Sequence, residues 1–390
     1  MEFLETLETL RADDASVGRL FGREGVGARH RNRGPDYERR LHEAIVFMRE
    51  LVRGQRPMHH LGEALGTADF PLLFGDILDR QLLSNYMEAP ATYTAYAKVA
   101  TVSDFRTVKR FAIDGSQAVL AAVGQQEEYP ESKLSDSVFS YSVSKYGRQT
   151  PFDWESIIND DLDALKDIPE RYGRAARRSE EKFVTALFGG NFGTFFTTAH
   201  KNIVTAAAGA TLDNPPLSIA GLQAAMLLMG KFVDADSEPI VFDKVHLVVP
   251  PSLEVVALNI LNASELWITG TGGGNTDQQV HVANWMRNRM QLSVNYYLPI
   301  VDGTQGNTAW YLIGDPSNSR PAMEIGFLRG HQQPEIFMRD SDAIRIGGPS
   351  QGSFDGEFDT DAIRYKIRHV FGGTLMDYKA AVASKGTAAS

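Results

Sequence analysis

Between Asp153 and Gly190 the chain permits little except helix, and a helix of that length constrains everything laid around it. Trp154, Ile157, Ile158, Leu162 and Leu165 recur at helical spacing after Asp153, a residue type that caps helix N-termini. Asp167 offers a second cap, and Pro169 fits the first turn of a second segment, where no backbone N–H is needed. Tyr172, Ala175, Ala176, Ser179, Phe183 and Leu187 make a narrow apolar seam. Arg171, Arg174, Arg177, Arg178, Glu180, Glu181 and Lys182 take the other faces. Gly189-Gly190 ends the rod. Such a helix lies on a surface with one stripe buried.

The segment before the rod has a different texture. Residues 101–111 (TVSDFRTVKRF) read as extended chain, and GQQEEYPESKLSD (124–136) is polar and turn-rich. Phe139, Tyr141 and Val143 then alternate with Ser140, Ser142 and Ser144, which is strand periodicity with one wet face. Two extended arms around a polar tip make an excursion of about 50 residues, longer than a compact domain sends out without a use. A lone hairpin is marginal in water, so this one must lie on something else. Further upstream, residues 65–97 predict a short helix clamped on a core. Residues 1–64 are charge-rich, with two weak helices around a Gly- and Arg-rich break at 22–34.

After the rod, residues 191–216 read as loop and 217–233 as a helix with Ile219, Leu222, Met226, Leu227, Met229 and Phe232 in the core. Residues 245–250 (VHLVVP) form a buried strand, and Pro251 opens a helix through Leu261. Alternation predicts strands at 292–298 and 310–313, then at 322–330 and 334–340. In the last one, Ile363, Tyr365, Ile367 and Phe371 point one way and Arg364, Lys366 and Arg368 the other, until Gly372-Gly373 breaks it. The basic stripe reads as a solvated face, with an acidic neighbour or nucleic acid as the other options. Leu375, Met376, Tyr378 and Ala380 end the ordered chain before a small-residue tail.

Composition removes several classes of function. A net charge of −10 argues against a dedicated nucleic-acid binder. The absence of cysteine excludes disulfides, thiolate metal sites and cysteine nucleophiles. No apolar run approaches the ~18 residues of a membrane span, and the acidic start is unlike a secretory signal, so use inside the cell is expected. The nine histidines are scattered, and neither HExxH nor Gly-x-Ser-x-Gly occurs. His59-His60 cannot share one helix face and has no ligand-spaced carboxylate beside it. Asp160, Asp161 and Asp163 read as a solvated helix face. The glycines of residues 268–278 lack the Gly-Lys-Ser/Thr of a phosphate loop and read as a flexible loop. No catalytic, cofactor-binding or metal-ligating residue is assigned.

The order of parts is more telling than any motif. It runs from a charged N-terminal arm through a long β excursion and a rod helix to an α/β block with Gly-rich loops, then back to strands. With VSDFRTVKRF (102–111), KVHLVVPPSLEVVALNIL (244–261) and IRYKIRHVFGGTLMDYKAAVASKG (363–386), this resembles the major capsid proteins of tailed bacteriophages, the Hong Kong 97-type fold. It is most similar to Mu-like major head subunits. The resemblance implies an α+β fold. Residues 1–92 would be an N-terminal arm with a scaffolding-like segment at its start, and 93–152 an extended loop over a neighbouring subunit. Residues 153–215 would carry the spine helix of a peripheral domain, 216–320 an axial domain, and 321–390 the peripheral domain's C-terminal strands.

It further implies a structural protein without enzymatic activity or cofactor. Copies would self-assemble as hexamers and pentamers into an icosahedral virion shell around the double-stranded DNA of a tailed phage or prophage. That DNA would be enclosed without sequence-specific binding. Assembly would take place in the host bacterial cytoplasm, away from membranes, with scaffold, portal and decoration proteins as partners. Some relatives cross-link through Lys and Asn; Lys133 lies near the excursion tip without a local partner. Others lose the N-terminal segment, for which the 22–34 break is a candidate cut. An encapsulin-like compartment shell and a soluble α/β enzyme with residues 93–152 as a lid remain alternatives.

Overall fold

The long helix ends where two β-sheets meet, and one apolar core joins all three. The computed structural model describes residues 79, 82–115, 134–153, 162–210, 212–269, 279–287, 289–317, 320–339, 346 and 358–387. Expectations for the N-terminal arm, including His59-His60 and the 22–34 break, lie outside these residues. So do those for the excursion tip with Lys133, for Asp160 and Asp161, and for the glycines of 270–278.

The first sheet gathers around β12 (Ala362–Leu375). β4 (Ser144–Asp153) pairs antiparallel with it along Ala362–Phe371. On the opposite edge of β12, β11 (Glu335–Met338) pairs with Tyr365–Arg368 and β10 (Met323–Leu328) with Phe371–Leu375. β1 (Lys98–Val102) adds parallel to β10. The alternation read for β12 holds: Tyr365, Ile367 and Phe371 are buried, whereas Lys366 is exposed and Arg364 and Arg368 are half-buried. Arg368 Nη2 donates to Glu335 Oε2 at 2.6 Å, so the basic stripe has found an acidic neighbour within its own sheet.

β12 does not stop at Gly372-Gly373. It runs on to Leu375: Gly372 lets residues 142–143 pass close over the strand, and Gly373 lets its paired neighbour β10 approach closely. A Cβ on Gly372 would lie 2.3 Å from the Ser142 carbonyl oxygen, and one on Gly373 would lie 2.4 Å from that of Glu324. The expected strand break is a crossing point, at which only glycine fits.

The second sheet has the order β13-β9-β5-β8: β5 is Val245–Val249, β8 Met290–Val294, β9 Trp310–Gly314 and β13 Ala381–Ser384. Every residue of β5, β9 and β13 is buried, as expected where both sheet faces are covered. Two helices cover one face, Ile219–Gly230 and Glu254–Asn262, through Leu222, Ala225, Leu228, Ala257, Ile260 and Leu261. Ser218 caps the first of these by accepting from Gly221 N at 3.1 Å. β13 was not expected: the chain does not end its order at Ala380 but crosses to the second sheet. There Ser384 Oγ and buried Trp310 Nε1 both donate to the Pro215 carbonyl, at 2.7 and 3.0 Å. The strand expected at 292–298 stops at Val294, and a short helix, Leu298–Val301, follows with Pro299 in its first turn.

The other face of the second sheet presents Val248, Tyr311, Ile313, Ala381 and Ala383. These pack in one cluster with Ile325, Phe327 and Phe371 of the first sheet and with Val184 and Phe188 of the long helix.

That helix spans Leu162–Phe188 as one element. Two details differ from the sequence reading. Asp153 closes strand β4, paired with Ala362, and Pro169 sits inside the helix rather than opening a second segment. A helix-interior proline costs about 3 kcal/mol. Here Ile168, Pro169 and Tyr172 are all buried, and Tyr172 Oη donates to Thr150 Oγ1 at 2.7 Å, so packing on the first sheet overrides the break.

The buried stripe is also rotated from the expected seam. Ala175 and Ser179 are exposed, whereas Arg177, Glu180 and Glu181 are buried among Tyr172, Ala176, Val184 and Phe188. Glu180 is 0% exposed. Its Oε1 accepts from Tyr86 Oη and is paired with His369 Nε2, each at 2.6 Å. Its Oε2 accepts from Arg177 Nη1 at 2.8 Å and Tyr93 Oη at 2.9 Å. The Arg177 guanidinium also lies 4.0 Å from the centre of the Tyr86 ring. Glu181 accepts from the Thr92 N–H and, at 2.8 Å, from Thr92 Oγ1.

Burial alone would raise the Glu180 pKa; His369, Arg177 and Tyr86 outweigh it and hold the carboxyl below its ordinary range. Glu181 lacks comparable cationic support, and burial pushes it up. The two carboxylates tie three parts of the chain to the helix: the helical turn at 82–88, the 3-10 turn Thr92–Ala95, and β12.

Glu180→Gln leaves Arg177 a buried cation without its carboxylate, and a loss of about 3–5 kcal/mol is expected. Because the folded Glu180 pKa is depressed, its stabilisation is complete above the ordinary carboxyl value of about 4.3 and fades as pH falls through the lower folded value. Thermal melts of wild type and Glu180→Gln should therefore differ by a constant amount from about pH 7 to 5 and converge in stronger acid.

Candidate assembly surfaces

From β1 the chain leaves the first sheet, bends at residues 103–107 and enters a two-stranded excursion. β2 (Val108–Gly115) and β3 (Leu134–Tyr141) pair antiparallel from Val108↔Tyr141 to Gly115↔Leu134. The chain returns through residues 142–143 to β4, so the excursion joins β1 to the opposite edge of the same sheet.

The register sorts its side chains into two faces. Val108, Arg110, Ala112, Phe139 and Tyr141 share the inner face, and all are buried or half-buried. Lys109, Phe111, Val138 and Ser140 share the outer face, and all are exposed. The expected alternation of Phe139, Tyr141 and Val143 against the serines holds. Phe111 and Val138 are directly opposed across the strands and are 66% and 52% exposed. A single exposed apolar residue needs no explanation, but an opposed pair on an isolated ribbon marks a contact surface. The sequence gives the pattern of this pair; only the register shows that its two members meet.

A second uncovered surface lies at one end of the second sheet. β5 and β8 run parallel, so the segments that follow them emerge at the same end. The helix after β5 exposes Val255, Val256 and Leu258 and bears no charge from Val255 to Asn262. Tyr296 and Ile300, after β8, are also exposed. β6 (Glu265–Thr269) and β7 (Gln279–Ala283) form a separate hairpin beyond that helix.

A cleft of about 510 Å³ is lined by Met87, Pro90, Tyr93, Lys98, Arg177 and Ser317, among others. Its Arg177 is committed to Glu180. Among the described residues, no group of three or more His, Asp or Glu side chains is arranged to hold a metal ion. No described helix is long and apolar enough to cross a membrane. Sequence reasoning missed Arg177, Glu180 and Glu181 as interior groups. The available signal was their phase: Glu180 lies one turn from both Ala176 and Val184, Glu181 one turn and Arg177 two turns from Val184.

A family model for phage capsid proteins matches residues 137–384, more than half of the chain. The chain belongs to this phage capsid protein family, and is thus a structural subunit of a viral shell. No curated protein sequence matches it. Among solved structures, it is similar to the capsid of Ralstonia phage GP4 at 10% identity and TM-score 0.45, covering 77% of this chain and 89% of that one. A chain from Mycobacterium phage Adephagia gives 11% identity and TM-score 0.43, with 76% and 90% covered. A virus-like particle from Pyrococcus furiosus gives 8% and 0.39, with 80% and 99% covered.

Phe111→Ser with Val138→Thr should leave the isolated subunit within about 0.5 kcal/mol of wild type, because both sites are exposed. The concentration needed for assembly should rise about tenfold or more, since a buried Phe contact is worth about 1.5–3 kcal/mol. Melting curves and light scattering on the same samples check both halves.

Proposed function

We propose that this chain is the major head subunit of a tailed phage or prophage, of the Hong Kong 97 type. Copies form hexamers and pentamers of an icosahedral shell around double-stranded DNA, and the shell assembles in the host cytoplasm. The observation that carries this reading is the excursion. It is seated on its own subunit at its base, yet its outer face keeps an opposed apolar pair uncovered. A ribbon of this kind is stable only when another surface takes that face. Closed rings require such heterologous contacts, in which one patch meets a different patch next door.

In this reading residues 93–152 are the extended loop, and the long helix with the first sheet is the peripheral domain. The second sheet with its two helices is the axial domain, and β13 ties the C-terminus back to it. Residues 1–92 are the N-terminal arm. The shell holds DNA without gripping it, which suits a chain of net charge −10. Scaffold, portal and decoration proteins are the further partners that such a shell uses.

The test is the mass of the purified chain by light scattering, with negative-stain images of the same fraction. Rings of five or six subunits, or closed shells that contain DNA when taken from infected or induced cells, are expected. Nucleic-acid-free shells filled with a protein would favour a cargo compartment. A monomer or dimer that stays small at high concentration and across salt conditions would overturn the proposal.

A further inference from the structure

Glu324 lies within β10, between Lys98 of β1 and Thr374 of β12, and is 1% exposed. A buried carboxylate is tolerated only when charge and hydrogen bonds compensate it. Its Oε1 accepts from Tyr141 Oη at 2.6 Å and from Arg110 Nε at 2.7 Å. The Lys98 ammonium lies 3.9 Å from Oε2. Arg110 belongs to the outgoing arm of the excursion, Tyr141 to the returning arm and Lys98 to the strand that feeds it. One carboxylate therefore holds both arms and their entry.

Beside Glu324 the sheet is bare. Gly326 and Gly372 face each other across β10 and β12, and the excursion's base passes over them. A Cβ on Gly326 would lie 2.5 Å from Tyr141 Oη, and one on Gly372 would lie 2.3 Å from the Ser142 carbonyl. Tyr141 and Val143 pack there on Val102, Leu328 and Val370, with Val108 at the margin. The seat is shallow and apolar, so it fixes height above the sheet but little direction. The directional bonds, from Arg110 and Tyr141, come from Glu324.

We infer that Glu324 is a positioning residue for assembly, setting the angle at which the excursion leaves the subunit and presents Phe111 and Val138 to the next copy. This rests on the capsid reading. Backbone pairing holds the ribbon together and the sheet together, but among the described residues no strand pairing joins one to the other, so their relative orientation is left to side chains such as Glu324. Phe111 stands three residues beyond Val108, about 10 Å at ~3.3 Å per residue, so a rotation of about 10° at the base moves it by about 1.7 Å. A gap of about 1 Å already forfeits a quarter to a half of a packing contact, so this shift is enough to spoil one.

The test compares Arg110→Met, Arg110→Lys and Glu324→Gln in the full chain with wild type. It reads subunit melting, hydrogen exchange in β2 and β3, and particle diameters by electron microscopy at one concentration. Arg110→Met takes the nearest cation from a buried carboxylate but leaves Lys98 and Tyr141 beside it, so the subunit Tm should fall by several degrees while the chain stays folded at the assembly temperature. The substitution should also speed exchange in the ribbon and broaden the diameters or leave open sheets. Arg110→Lys should restore the wild-type distribution, and Glu324→Gln should behave as Arg110→Met does. If Glu324→Gln fails to fold, Tyr141→Phe replaces it, with an intermediate effect expected. Wild-type particles from Arg110→Met and its companion variants would overturn the inference, as would assembly loss that merely follows loss of Tm. Absence of particles from wild type would instead sink the capsid reading itself.

Discussion

The Glu180 carboxylate is the interaction on which the rest of the structure depends. It collects four partners, three of them from distant parts of the chain, with Tyr86 and Tyr93 from one side and His369 from the other, and one, Arg177, from its own helix. Each bond is made inside the protein, where competition from water is removed and loss of any partner is costly. The long helix is thereby not a rod resting on a sheet by apolar contact alone. It is registered along and around its axis against β12, and the segment before β1 is registered against it. A helix held only by alanines and leucines can slide or roll by a fraction of a turn, whereas this arrangement of hydrogen bonds has one solution.

That rigidity divides the molecule by mechanical character. The helix, the two sheets and the cluster of Phe188, Phe327, Phe371 and Tyr311 between them behave as one packed body. The ribbon of β2 and β3 stands apart, with its base over paired glycines and a second buried carboxylate, Glu324, at its root. Both carboxylates join elements far apart in sequence, and neither is needed for the pairing of any single hairpin. For a shell subunit this division has a use. In the proposed assembly, a stiff body sets the curvature of the shell, and a projecting ribbon with an uncovered apolar face is the part that contacts the next copy.

Much of this was legible in the chain. Alternation at Phe139–Ser144 and Ile363–Arg368 gave strands with the correct buried faces. The Val/Leu run at 245–249 gave a strand buried on both sides, and the apolar positions of 217–233 gave a helix. The excursion and the long helix follow from period and length, whereas the α+β class was what the family resemblance implied. Three features resisted because local rules point the other way. Arg177, Glu180 and Glu181 look like solvent residues until Tyr86, Tyr93, Thr92 and His369 arrive to satisfy them. Gly372-Gly373 looks like a strand end until residues 142–143 cross over it. Pro169 looks like a helix start until the first sheet buries its surroundings.

The sequence by itself determined the periodicities, and hence which stretches became helix and strand and which of their faces were apolar. It determined the absence of thiol chemistry and the length of the excursion. The tertiary structure alone decided which polar groups could be buried, because a buried charge is admissible only where its partners converge, and the partners of Glu180 outside its own helix lie 87 to 189 residues away along the chain. It alone decided that β13 closes the second sheet rather than trailing from it, since four small residues acquire strand structure only beside β9. It alone set Phe111 against Val138, because register is a property of two strands and neither strand carries it alone.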